Sequence, residues 1–415
     1  MIRELHINNY KSLHDITVDV ARFNVLIGEN GCGKSNILEA IALIAATVSN
    51  KLDNEFLVSR GIRVTSPKLM RSAFNAEDTQ ESIIIKAGYD NSNIAITYTL
   101  KNNNQPYSKW ERFVEERNSI ALIEDINSIS IDLVESILDK DEIKDPDLIN
   151  KLNSIVEQWH QSKNKILLYL SEKHTKEYAT TYIDDYSLIS LQENLLKNFI
   201  IYAPENTALR NFSSEGQVEP LGIHGEGLLK LLKVIQKKSP EQITEIRKSL
   251  EVFDWYSEFH ILDGMFSSTI EGEISITDRY LSQPFDQRSA NEGFLFVLFY
   301  IALMVSDDTP KIFAIDNIDV ALNPKLCTKL IKELTRLAKE YGKQVFVTTH
   351  NPAILDGIDL GDDDQRLLVF SRNKQGHTRY KRIKLEDKPR SSSNEELKLS
   401  EAFLRGYLGG LPKGF

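Results

Sequence analysis

Cysteine is nearly absent. The 415-residue chain has two, Cys32 and Cys327, and neither has another Cys or a His at metal-ligand spacing, which excludes a disulfide framework and a zinc site. No apolar run reaches the ~20 residues needed to span a bilayer. Met1-Ile2-Arg3-Glu4-Leu5 starts as a strand and lacks the apolar core of a signal peptide, so no membrane is expected and the cytoplasm is the expected compartment. An excess of positive charge is also missing: 50 Lys and Arg face 60 Asp and Glu, a formal net charge of −10. A dedicated nucleic-acid binder is usually basic, so nucleic acid is only a weakly supported partner. Its one support is a local stripe of Arg366, Arg372, Lys374, Arg379, Lys381, Arg382 and Lys384, which reads first as the solvated face of a hairpin. Glycine is absent from residues 107–196.

What is present suits a soluble globular protein of two or three core-forming units: 41% hydrophobic and 27% charged residues. The rest of the chain is organised around Gly28-Glu29-Asn30-Gly31-Cys32-Gly33-Lys34-Ser35, which reads G-x-x-x-x-G-K-S. It lies between an apolar run, Phe23–Ile27, and a segment with helical spacing, Ile37, Leu38, Ala40, Ile41 and Ile44. A buried strand, a Gly-rich turn and a helix start, in that order, form a phosphate cradle. The glycines let backbone N–H groups approach the phosphates, Lys34 reaches the terminal ones, and the Ser35 hydroxyl suits Mg²⁺. Asn30, Gly31, Cys32, Gly33, Lys34, Ser35 and Asn36 are therefore the nucleotide-binding candidates.

Residues 1–27 read as two antiparallel strands and the strand that delivers the loop. A hairpin follows over 82–100. The glycine-free, charge-dense stretch then predicts a helical insertion: Asp145-Pro146 reads as a cap followed by proline at the first helical position, and Leu148, Leu152, Ile155 and Trp159 share one helix face. The sheet resumes at Phe199–Ala203, helical spacing returns at Leu228–Ile235 and at about 240–258, and no internal repeat is present.

The second group of signals comes late. Arg288-Ser289-Ala290-Asn291-Glu292-Gly293 opens an apolar helix, Phe294–Ile301; taken alone it is a helix cap. Lys311–Asp316 is a buried strand ending in a carboxylate, as in Mg²⁺-holding phosphate-loop proteins. After a helix over 324–341, Gln344–His350 is another buried strand, ending in a histidine where open α/β sheets bind ligands.

With these motifs the chain resembles the ABC-type ATPases of the SMC, RecF and OLD-like group, most nearly the stand-alone AAA family ATPases of prophage and anti-phage defence loci. The resemblance covers Ile2–Ala45, with I-x-x-L-x-I-x-N-Y-K-S before the phosphate loop, and Ser289–Pro352; the tail Leu404–Pro412 is also similar. It implies an α/β, ABC/SMC-head-like P-loop NTPase with a mixed sheet, an antiparallel N-terminal β subdomain and a helical insertion. The division would be residues 1–106 for an N-lobe with the P-loop, 107–196 for the insertion (a lid or stalk), and 197–415 for a C-lobe. By the same resemblance Lys11 is a basic residue near the nucleotide. Ser289, Asn291, Glu292 and Gly293 form the signature that meets the γ-phosphate held by a second subunit. Asp316 is the Walker B carboxylate, with Ser35 a ligand of Mg²⁺, and His350 is the switch histidine. Gln80 is the nearest candidate for a Q-loop glutamine.

One departure bears on rate. The group carries Asp-Glu at the end of the Walker B strand, the Glu polarising the attacking water; here the pair is Asp316-Asn317, followed by Ile318-Asp319. An amide cannot accept the water's proton, and losing a general base costs about 10²- to 10⁴-fold. The resemblance thus implies ATP and Mg²⁺ as cofactors, slow hydrolysis unless Asp319 or Glu292 substitutes, and a homodimer or higher oligomer. The stretch after His350 is too short for a Toprim nuclease domain, so an effector (a nuclease or toxin) is expected on a separate chain, in anti-phage defence or a toxin–antitoxin-like system. The alternative is a DNA-engaging repair ATPase like RecF.

Overall fold

A computed structural model describes residues 1–89, 94–118, 193–210, 220–262, 273–389 and 396–411. Its centre is strand β3 (Phe23–Gly28), every residue of which is buried. A strand covered on both faces reads as a continuous apolar run rather than an alternation. Its one polar side chain, Asn24, is fully satisfied: it accepts from the Ala21 N–H and donates to the carbonyls of Ala21 and Val345. β3 runs parallel to β12 (Gln344–Thr349) on one side and to β13 (Gln365–Arg372) on the other. The full order is β14-β13-β3-β12-β11-β7, with β11 at Ile312–Ile315 and β7 at Ile201–Tyr202. β14 (Thr378–Ile383) pairs antiparallel with β13, which makes the sheet mixed.

A second sheet is antiparallel, in the order β2-β1-β4-β5-β6. Its strands are β1 (Ile2–Tyr10), β2 (Leu13–Asp19), β4 (Ile83–Tyr89), β5 (Ile94–Lys101) and β6 (Glu111–Asn118). A small third sheet joins β8 (Tyr256–Leu262), β9 (Glu273–Asp278) and β10 (Phe285–Asp286).

Helix α1 (Lys34–Val48) is buried around most of its circumference because it lies between the first two sheets. Leu38, Ile41 and Ile44 share a core with Ile7, Ile85 and Ile96 of the antiparallel sheet and with Phe346 and Leu368 of the central one. Two short helices follow, α2 (Asn54–Ser59) and α3 (Pro67–Met70). The other face of the central sheet carries α4 (Asn206–Arg210), α5 (Leu228–Lys238), α6 (Pro240–Ser249), α7 (Glu292–Val305) and α8 (Pro324–Glu340). All of Gly293–Val305 is buried, which is why that helix is apolar all round. A last short helix, α9 (Leu399–Leu404), is fixed by Ser400, whose backbone N–H and hydroxyl both donate to Asp356. Among the described residues no helix is long and apolar enough to cross a membrane.

Two stretches differ from the sequence reading. Residues 111–118, expected to open the helical insertion, instead extend the antiparallel sheet, in register from Ile94↔Asn118 to Lys101↔Glu111. β6 is an edge strand with Glu111 and Glu115 in solvent, and edge strands carry the charge that buried strands lack. Residues 256–258, read as the end of the helical stretch over about 240–258, instead open β8. The expected insertion over 119–192, with its face of Leu148, Leu152, Ile155 and Trp159, lies outside the described residues.

Candidate functional site

The phosphate-loop candidate joins β3 to α1 with left-handed backbone at Gly31 (φ 75°) and Gly33 (φ 104°), which glycine adopts without strain. Close approach explains Gly28 as well, since a Cβ there would lie 2.2 Å from the Phe370 carbonyl oxygen. Asn30 and Gly31 are exposed, Cys32 and Gly33 buried, Ser35 and Asn36 half-buried. No side chain caps α1, which leaves its first N–H groups for an anion. Lys34, 5% exposed, donates from Nζ to the carbonyls of Gly28 (2.9 Å) and Glu29 (3.0 Å). Burial holds its pKa below the usual lysine range, against the pull of Cys32, Asp316 and Asp319. Burial also pushes the Cys32 thiol up, so that side chain is packing rather than a nucleophile.

β11 delivers Asp316 to the same place. The Ser35 hydroxyl lies 3.2 Å from both Asp316 oxygens. A hydroxyl and a carboxylate converging in this way suit Mg²⁺, which takes few protein ligands and keeps water and phosphate oxygens for the rest. Among the described residues no group of three or more His, Cys, Asp or Glu could hold a metal ion. Thr348, at the end of β12, donates its hydroxyl to Asp316 and accepts the backbone N–H of Asn317 at 2.9 Å. Asn317 itself is exposed, in the left-handed region at φ 55°, which Asn tolerates better than most residues.

Asp319 accepts the Thr349 hydroxyl at 2.6 Å. It is thus tied to the strand end that carries His350. Partial burial and the Lys34 ammonium hold the His350 imidazole below its usual pKa, so near neutral pH it is a neutral hydrogen-bonding group.

Lys11 sits in the β1–β2 turn (φ 48°), bonded to the buried carboxylate of Glu39 on α1 and to the Arg63 carbonyl at 3.1 Å. Glu39 also takes the Tyr10 hydroxyl (2.9 Å) and Arg63 Nε (2.6 Å). Arg63 is a residue the sequence reading missed. Its guanidinium donates to Asn36 Oδ1 at 3.1 Å, and, against the cost of burial, Glu39 and more weakly Asp316 hold its pKa above the usual arginine range. No motif marks it, because it follows α2 in an irregular segment. Gln80 meets Asn104 (3.2 Å) in a surface turn.

The signature candidates open α7. Asn291 is its N-cap, accepting from the Phe294 N–H at 2.8 Å, and Ser289 N–H donates to Asp286 Oδ1 at 3.0 Å. Ser289 and Asn291 are exposed and Glu292 half-buried. Gly293 lies against the segment after Asp319: a Cβ there would be 3.0 Å from the Ala321 carbonyl oxygen and 3.3 Å from Leu322. Arg210, also missed by the sequence reading, braces the turn from α4 through the carbonyls of Arg288 and Ala290.

Four of the seven basic residues of the stripe are ion-paired, with three carboxylates between them. Arg366 and Arg382 pair with Asp19, Lys381 with Asp387, and Lys384 with Glu386. Arg372 turns inward, onto the Gly31 carbonyl.

Residues 23–356 match a family described as "AAA domain, putative AbiEii toxin, Type IV TA system". The chain is 29% identical over 147 residues to the uncharacterized protein MJECL10 of Methanocaldococcus jannaschii, covering 33% of this chain and 65% of that one. Over 56 residues it is 39% identical to the DNA replication and repair protein RecF of Limosilactobacillus reuteri, covering 13% and 15%. The chain thus spans less than two thirds of the length of these relatives. In fold it is similar to a solved SMC head bound to the C-winged helix domain of ScpA, with a TM-score of 0.53 and 13% identity over 93% of this chain and 98% of that one.

Proposed function

The chain belongs to this AAA domain family, with an SMC-head-like P-loop fold, and from that premise we propose that it is an ABC-type ATPase that closes as a dimer around Mg–ATP, hydrolyses it slowly and so regulates a separate effector. The observation that carries the reading is the convergence of Lys34, Ser35 and Asp316 at an uncapped helix start. In this reading Asn30–Asn36 cradle the phosphates. Ser35 and Asp316 hold Mg²⁺, which when bound offsets the phosphate charge. His350 and Arg63 flank the terminal phosphates, and Thr348 fixes the Asp316 carboxylate. Asn317 orients a water without taking its proton, and Asp319 serves the Thr349 strand end rather than acting as the base. Ser289, Asn291, Glu292 and Gly293 complete the site of a second copy.

The effector would be a nuclease or toxin encoded with the protein, in keeping with the toxin–antitoxin description of the family. A DNA-engaging role like that of RecF has less support, because the chain carries a net charge of −10 and four of the seven cations of the 366–384 stripe are held in ion pairs. Two measurements on the purified chain test the proposal: sizing with and without Mg–ATP, and phosphate release at saturating nucleotide. A dimer only with Mg–ATP, turnover well below 1 s⁻¹, the low end of typical enzyme rates, and loss of both in Lys34→Ala are expected. A chain that stays monomeric in saturating Mg–ATP overturns it.

A further inference from the structure

Two polar side chains grip the phosphate loop from outside, from opposite strands of the β13–β14 hairpin. Arg372 Nε donates to the Gly31 carbonyl at 2.8 Å, and Thr378 Oγ1 donates to the Cys32 carbonyl at 2.9 Å. Two consecutive carbonyls are thus turned toward one hairpin. A trans peptide is planar, with its C=O and N–H pointing opposite ways. The N–H groups of Cys32 and Gly33 are therefore directed away from the hairpin.

The grip is tight: a Cβ on Gly33 would stand 2.3 Å from Thr378 Oγ1 and 2.7 Å from Ser12 Oγ. The bonds form a relay with one consistent direction. Asn36 Nδ2 donates to Ser12 Oγ (2.8 Å), Ser12 to Thr378 (2.7 Å), and Thr378 to Cys32. The first turn of α1, the β1–β2 turn and the hairpin are so joined through one loop. The hairpin is steadied in turn by the Thr378 N–H bond to the Ser12 carbonyl (2.9 Å) and by His377, stacked on His14 at 4.4 Å.

The geometry points to Arg372 and Thr378 as positioning residues of the nucleotide site, which set the loop's N–H groups in a phosphate-ready array before nucleotide arrives. This rests on the reading of residues 28–36 as a triphosphate cradle. Glycine has more backbone freedom to lose on ordering than any other residue, and this loop has three, at 28, 31 and 33. Fixing it in advance spares the ligand that ordering cost and favours donors already aimed at developing charge.

Titration calorimetry with Mg–ATP on the full chain tests this, using Arg372→Ala and Thr378→Val beside the conservative Arg372→Lys and Thr378→Ser. Each loss variant should weaken binding about 5- to 20-fold, the range of one hydrogen bond to a charged or buried group. Lys and Ser should restore most of it; the melting temperature without nucleotide should barely move in Arg372→Ala, at an exposed position, and should fall in Thr378→Val, which leaves buried partners unpaired. Unchanged affinity in Arg372→Ala and Thr378→Val overturns the inference, as does a fall in melting temperature with affinity intact. Should Arg372→Ala fail to fold, the Thr378 pair decides by the same titration. If wild type binds no Mg–ATP, or Lys34→Ala binds as well as wild type, it is the cradle reading itself that has failed.

Discussion

In the proposed reading, a single side chain, that of Asn317, sets the rate. Its backbone is held by the Thr348 hydroxyl and lies at φ 55°, so its place beside Asp316 is fixed whatever its side chain carries. A carboxylate there could take a proton that the amide cannot. Asn317→Glu should therefore raise phosphate release at least about tenfold, since a missing general base costs roughly 10²- to 10⁴-fold. It should also lower stability by about 1 kcal/mol, because Glu is less at ease in the left-handed region. Steady-state turnover and a thermal melt without nucleotide read the two effects separately. The assignment reverses if wild type turns over at ordinary rates and Asp319→Ala, but not Asn317→Ala, abolishes it. At this scale the sequence was legible where residues stand in a motif. Lys34, Ser35 and Asp316 could be found because strand, turn and helix signals frame them. Arg63, Thr348 and Arg210 could not, because each acts through bonds made across the fold.

The elements were legible in proportion to how far burial constrains them. β3, β11 and β12 are covered on both faces and α7 all round, so their apolar runs left little choice. β6 is exposed, and its charges hid its pairing. Lys343, which enters β12, shows how elements are tied together. Its ammonium is fully buried and donates to the carbonyls of Ser306, Thr309 and Pro310 and to the Thr309 hydroxyl, joining the end of α7 to the start of two strands. Those oxygens favour the ammonium, but burial outweighs them and pushes its pKa down to about 7. The unfolded chain keeps that proton up to about pH 10.4. Between those values the unfolded state binds more protons, so this residue's contribution to stability rises with pH. In denaturant melts from pH 7 to pH 10, the midpoint of wild type should climb relative to Lys343→Met; a constant gap would mean that the lysine keeps its charge in the folded chain.

On the scale of the whole molecule, each chain carries both halves of the proposed site, on different elements and with different local duties. The phosphate loop is braced from β14 and the β1–β2 turn. The signature turn is braced by Arg210 and packs on the segment after Asp319. That packing would give the proposed dimer a physical route by which nucleotide at one copy is felt at the other: a phosphate meeting Asn291 and Gly293 would press on Ala321, two residues from Asp319 and its bond to the Thr349 strand end. Sequence alone could suggest this pairing only through resemblance, since nothing in residues 288–293 distinguishes a signature from an ordinary cap. Mixing separates the two. Lys34→Ala removes the cradle from one chain, and Ser289→Arg, at an exposed position bonded through its backbone, blocks the signature of the other. Neither variant alone should form a Mg–ATP dimer or release phosphate above background. Mixed, the two chains make one intact site per heterodimer, from the cradle of the Ser289→Arg chain and the signature of the Lys34→Ala chain, and since neither chain pairs with itself, about half of wild-type phosphate release should return. A site built wholly within one chain predicts the opposite pattern, with Ser289→Arg active by itself and nothing gained on mixing.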